Sequence, residues 1–184
     1  MRAAVRGAPA ALLALAVCAA GAAFAADTAG AAAAGAAGST AAQAGGEGAR
    51  VYAQHCAVCH LPNAGGSPGF VPPLTGTLGH FASSEDGRAL LAAIVSWGMT
   101  GAIRVGGRSY MGAMSIVRPL SDEEAAEVLN YVLRDHNQAS LPADFAPFTA
   151  AEIQRHRARK ASPGEVHAAR QALARRLEAE GKAR

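Results

Sequence analysis

Two cysteines stand three positions apart, with a histidine directly after the second: Cys56-Ala57-Val58-Cys59-His60. Thiols and an imidazole at this spacing admit three chemistries, namely metal chelation, dithiol exchange, or thioether attachment of a haem. A closed zinc site needs three or four ligands, and the chain offers no second Cys/His cluster at ligand spacing. A thioredoxin-like pair expects a βαβ setting, and no segment shows strand alternation of useful length. Haem attachment accounts for all three residues. Cysteines three apart at a helix end reach the two vinyl groups on one porphyrin edge, and the adjoining histidine falls under the iron as a neutral ligand. One motif means one covalent haem, a haem c.

The far side of the iron then has several claimants. Met99, Met111 and Met114 supply thioethers, and His80 and His136 are the histidine candidates. A thioether raises the potential and closes the iron to outside ligands, which suits an electron carrier. An open site would suit a haem peroxidase or gas-binding sensor. No Ser/His/Asp order and no glycine-rich phosphate loop stands out, so an electron-transfer protein and not an enzyme is expected, with no catalytic residues.

The elements that must position these groups read as helices joined by loops. Residues 48–56 form a short helical segment ending at the motif. Leu61 to Gly79 is a loop, dense in Gly and Pro (Pro62, Pro68, Pro72 and Pro73 among them). Ser84 caps a second helix with apolar positions Leu90, Leu91, Ile94 and Trp97, stopped by Gly98. Residues 98–120 read as loop. The capping box Ser121-Asp122-Glu123-Glu124 starts a third helix, its apolar face at Ala125, Val128, Leu129, Val132 and Leu133, ending near His136. The stretches 149–160 and 163–182 look helical but carry few apolar positions, so they must lean on something, either a partner or the domain's own surface. Deleting 146–184 is expected to leave the haem spectrum unchanged. Phe70, Leu74, Leu91, Ile94, Trp97, Tyr110, Ile116 and Leu129 are the candidates for a haem pocket. With 5% aromatics, the porphyrin is expected to supply much of the core.

The remaining sequence speaks of export. Arg2 and Arg6 precede an apolar run, Ala8 to Ala20, and the small-x-small site Ala23-Phe24-Ala25, so residues 1–25 read as a cleaved signal peptide. Lipidation at Cys18 is disfavoured by the branched Val17 before it. Residues 26–46 are Ala/Gly-rich, bury too little to offset ordering entropy, and read as a flexible linker. The organisation is thus signal 1–25, linker 26–46, a haem domain 47–140 and a basic helical extension 141–184. Residues 47–145 carry six Arg against nine Asp and Glu, and residues 146–184 carry nine Lys and Arg against four Glu. An acidic core with a basic tail suggests partner docking or self-association, not nucleic-acid binding. The expected location is the periplasm, with membrane contact only if the N-terminal segment is retained.

Over roughly residues 47–136 the chain resembles a bacterial class I c-type cytochrome. Gly48-x-x-x-Tyr52-x-x-x-Cys56 resembles the family's N-terminal helix, and Val128-x-x-Tyr131 the partner helix it crosses. The resemblance implies an all-α fold wrapped round one haem. Pro72-Pro73-Leu74 resembles the family's Pro-x-Leu, which implies that the Pro72 carbonyl accepts a hydrogen bond from His60 and orients it; the alternative is a plain turn residue. Met114 matches the register of the family's axial methionine, a few residues before a Leu-Ser-Asp-Glu-Glu helix start, although Ser115 stands where proline is usual. The implied cofactor-binding set is therefore Cys56, Cys59, His60, Met114 and Pro72, with His60 and Met114 on the iron. The layout after residue 100 resembles cytochromes that accompany exported dehydrogenases, so the implied partners are a dehydrogenase, an oxidase or another cytochrome.

Overall fold

The computed structural model describes residues 46–182; the signal peptide with Cys18, and the linker save for Gly46, lie outside the described residues. Helix α1 covers 46–55, and after a turn at Cys56 the chain rewinds as α2 (Ala57–His60). The Gly/Pro-rich loop leads into α3 (Leu78–Phe81) and α4 (Glu85–Trp97). Ser84 accepts the Gly87 amide at the start of α4, and Gly98 ends it with φ 73°. Helix α5 (Asp122–His136) opens on the full capping box of Ser121 with Glu124. Two further helices follow, α6 (Ala150–Arg157) and α7 (Pro163–Ala179), the second also opened by a capping box, Ser162 with Glu165.

Residues 98–120 are not plain loop. They hold four short strands, β1 (Met99–Thr100), β2 (Ile103–Val105), β3 (Arg108–Tyr110) and β4 (Ala113–Met114). β2 and β3 pair antiparallel as Ile103 with Tyr110, Arg104 with Ser109 and Val105 with Arg108, and β1 pairs with β4 around them. Strands of two or three residues are too short for alternation to register. The hairpin turns on Gly106 and Gly107, both at positive φ, which a two-residue turn matched to strand twist requires. The fold remains helical, with these ribbons holding its only strands among the described residues.

At the core, α1 crosses α5. A Cβ on Gly48 would meet the Glu127 carbonyl and stand 2.7 Å from the Tyr131 Cβ, so glycine lets the two backbones touch. Tyr52 packs beside Tyr131, ring centroids 5.5 Å apart. Val51 of α1 and Leu129 and Leu133 of α5 are buried in the core, as are Leu90 and Leu91 of α4.

The C-terminal helices belong to the same core. Phe148, Ile153, Val166, Leu173 and Leu177 are all buried in one cluster with α4 and α5, each contributing about 2 kcal/mol of apolar burial. The extension therefore leans on its own domain, and the expectation that deleting it is silent must be revised. Opposite charges meet within the chain: Arg157 donates to Asp122 at 2.6 Å and Arg176 to Asp86 at 2.9 Å. The most sequestered pair runs the other way. Arg88 on α4 donates Nε and Nη2 to the two carboxylate oxygens of Glu152 on α6, at 2.6 and 2.7 Å, with its guanidinium 4.0 Å from the Phe148 ring centre.

Burial pushes the Glu152 carboxyl up, but its hydrogen bonds and attraction to Arg88 prevail and hold its pKa below 4.5. A depressed carboxylate pKa adds stability that is present above the unfolded value and lost as pH falls through the folded one. Glu152→Gln is thus expected to cost about 3 kcal/mol near neutral pH, because it strands a buried guanidinium. In thermal melts, the gap between wild type and variant should close as pH drops below 4.5.

Candidate functional site

The cysteine motif is wound on a single helical turn. The Cys56 amide donates to the Tyr52 carbonyl at 2.9 Å, and the Cys56 carbonyl accepts both the Cys59 amide (3.1 Å) and the His60 amide (2.8 Å). Positions 56, 59 and 60 are related as i, i+3 and i+4, so all three side chains share one helix face. Cys56 is half-buried and Cys59 exposed, and neither is in a disulfide. Burial pushes the Cys56 thiol up to about 11. It is the opposite of what an exchange-active dithiol needs, since the thiolate is the nucleophile.

His60 is only 6% exposed. Its Nδ1 lies 3.0 Å from the Pro72 carbonyl oxygen. Desolvation lowers its pKa, against a smaller opposing effect of that hydrogen bond, which favours the neutral ring. A neutral ring that donates from Nδ1 keeps its lone pair on Nε2, the state a metal ligand requires. The loop that brings Pro72 into place is tied at several points. Gly66 donates to the His60 carbonyl at 3.0 Å, Ser67 pairs with Val71, and Leu74 donates to Ala64 at 2.8 Å. A Cβ on Gly66 (φ 64°) would stand 2.7 Å from the Pro72 oxygen. Buried Asn137, just past α5, closes the loop by donating to the Leu74 carbonyl (2.7 Å) and accepting the Leu78 amide (2.9 Å).

The methionines fall in different settings. Met114 on β4 is half-buried and stands opposite Met99 on β1. Directly opposed residues of an antiparallel pair project to the same side, and Met99 packs against the hydrophobic core. Met111 lies outside the strands and is 68% exposed. Its amide donates to the Gly69 carbonyl at 3.2 Å, joining the methionine-bearing loop to the loop that carries Pro72. His80 is half-buried in α3, and His136 packs edge-on to Tyr131 at 5.3 Å.

The residues present fit an iron porphyrin. The motif offers two thiols and a neutral imidazole on one face. Phe70, expected in the haem pocket, is 76% exposed, an uncovered aromatic ring for an apolar cofactor to bury. Two buried donors, Trp97 Nε1 and Arg170 Nη1, have no hydrogen-bond partner, and the carboxylates of such a cofactor would supply acceptors. Sequence reasoning missed Arg170 and Asn137, which look like ordinary helix-surface and helix-end residues until their burial is seen.

The family model for cytochrome c matches residues 46–134. Two cytochromes c-552 of Thermus thermophilus are each 42% identical to this chain over 127 residues, 69% of its length. The match spans 96% of the first and 85% of the second, and it is longer than the stretch the family model covers. The chain therefore belongs to the cytochrome c family. It is a mono-haem electron-transfer protein that carries covalently bound haem c, its Cys56 and Cys59 fitting the attachment motif.

Gly66→Ala is expected to displace the Pro72 carbonyl, combining strain at positive φ with a steric clash. A cost of about 1–3 kcal/mol follows, read in chemical denaturation of the haem-loaded protein.

Proposed function

We propose that this cytochrome is exported on residues 1–25, works in the periplasm, and carries single electrons from a dehydrogenase to a respiratory acceptor, using His60 and Met114 as axial ligands. Cys56 and Cys59 form the two thioethers, Pro72 orients His60, and residues 26–46 serve as a tether to the haem domain. The observation that carries this reading is the 3.0 Å approach of His60 Nδ1 to the Pro72 carbonyl, which leaves Nε2 free for iron. When bound, the haem supplies a one-electron couple. The chain's part is to hold the two ligands and exclude water. Met114 is favoured over Met111 because it is held in register opposite Met99 by β1, whereas Met111 lies outside the strands. Among the described residues no helix is long and apolar enough to cross a membrane.

The surface around the motif supports docking by contact more than by charge. Val58 is 81% exposed, and Val117 is also exposed. Val117 adjoins Arg118, whose Nη2 lies 2.9 Å from the imidazole of His55, the residue before Cys56. These exposed side chains beside the motif are the contact we assign to a redox partner.

Met114→Ala is expected to abolish the thioether charge-transfer band of the oxidised protein, while Met111→Ala keeps it. Persistence of the band in Met114→Ala, or rapid carbon monoxide binding by the native ferrous protein, would contradict the ligand assignment. Val58→Asp is expected to slow bimolecular electron exchange with a redox partner several-fold without changing the haem spectrum. The check is stopped-flow reduction at matched ionic strength, and an unchanged rate would argue that partners dock elsewhere.

A further inference from the structure

Leu61, the residue that follows His60, has φ 65° and ψ 158°. That region is close to glycine-only, and a residue with a Cβ stays there only when its surroundings hold it. The hold is visible. The Leu61 carbonyl accepts the Tyr52 hydroxyl at 2.7 Å and the Ala64 amide at 3.0 Å. Tyr52 is 2% exposed and wedged between Tyr131 and His136, with ring centroids 5.5 and 5.9 Å away. Its own carbonyl receives the Cys56 amide at 2.9 Å. One residue thus grips the motif twice, by its carbonyl where the chain enters and by its hydroxyl where the chain leaves.

We propose that Tyr52 is a positioning residue for the axial histidine: its hydroxyl holds the strained Leu61 peptide and so sets the angle at which the His60 ring meets the iron. The proposal rests on the reading of His60 as a ligand. Packing alone does not explain the residue, because phenylalanine would fill the same space without holding Leu61. Two bonds act on the ring's pose, Pro72 from the far end of the imidazole and Tyr52 from the backbone behind it. Removing the second leaves the imidazole anchored at Nδ1 but free to turn.

The test uses the oxidised, haem-loaded protein and its hyperfine-shifted proton spectrum, in which the spread of the four haem-methyl resonances follows the orientation of the axial imidazole. Tyr52→Phe is expected to redistribute those resonances and to speed exchange of the His60 Nδ1 proton on the order of tenfold. Val51→Ala loosens the same helix without touching Leu61, and should leave the methyl pattern as in wild type. If Tyr52→Phe fails to take up haem, adding Leu61→Gly, which adopts this backbone without strain, should restore uptake. An unchanged pattern in Tyr52→Phe, the same change in Val51→Ala, or no rescue by Leu61→Gly would each overturn the proposal. Failure of the underlying ligand reading looks different: the wild-type spectrum itself would then lack strongly shifted His60 ring protons.

Discussion

The structure turns on one buried imidazole, His60, which in its proposed role on the iron has to be neutral, oriented and still have a lone pair to give. His60 meets those conditions because desolvation lowers its pKa and its Nδ1–H donates to the Pro72 carbonyl. Each condition recruits a part of the fold. Burial needs the helix crossing of α1 and α5. The carbonyl needs a loop that returns twelve residues later, and that loop needs Gly66, the Ser67–Val71 bridge and the Asn137 side chain to hold its path. A ring left to find its own rotamer would lose the entropy of that choice on binding metal; here the loss is met during folding.

The C-terminal extension adds a second layer to this scheme. Its helices complete the apolar cluster around α4 and α5, and the Arg88–Glu152 pair fixes α6 where Phe145 and Phe148 flank the guanidinium. The charge asymmetry between the acidic core and the basic tail is partly neutralised inside the molecule, through Arg157 with Asp122 and Arg176 with Asp86. A tail that serves as packing is less free to serve as a partner-seeking arm. The exposed apolar residues near the motif, Val58 and Val117, are then the more natural place for another protein to approach.

How far these features could be read from the chain depended on their range. The helix starts at Ser84 and Ser121 and the stop at Gly98 were legible, because a cap is a bond between residues three or four apart. The motif was legible for the same reason: its chemistry sits on one helical turn. The ribbons of 99–114 were not, since two- and three-residue strands leave no period, although the Gly106–Gly107 pair between Val105 and Arg108 was a hairpin signal in plain view. The burial of Ile153, Leu173 and Leu177 was beyond reach as well, because sparse apolar positions on a charged helix do not say what they face. Tyr52 was visible as an aromatic at a helix crossing, but the use of its hydroxyl depends on where Leu61 lies, and that is a property of the fold.

The central claim is that one porphyrin is bonded to this chain through both cysteines of one motif. Trypsin should cut the haem-loaded protein after Arg50 and Arg88, releasing residues 51–88 as one fragment with Cys56, Cys59 and His60 inside it. Mass spectrometry of the digest is predicted to find that fragment heavier by one iron porphyrin, with neither cysteine open to alkylation. Recovery of the fragment at its bare mass, with both thiols alkylated, would contradict the account.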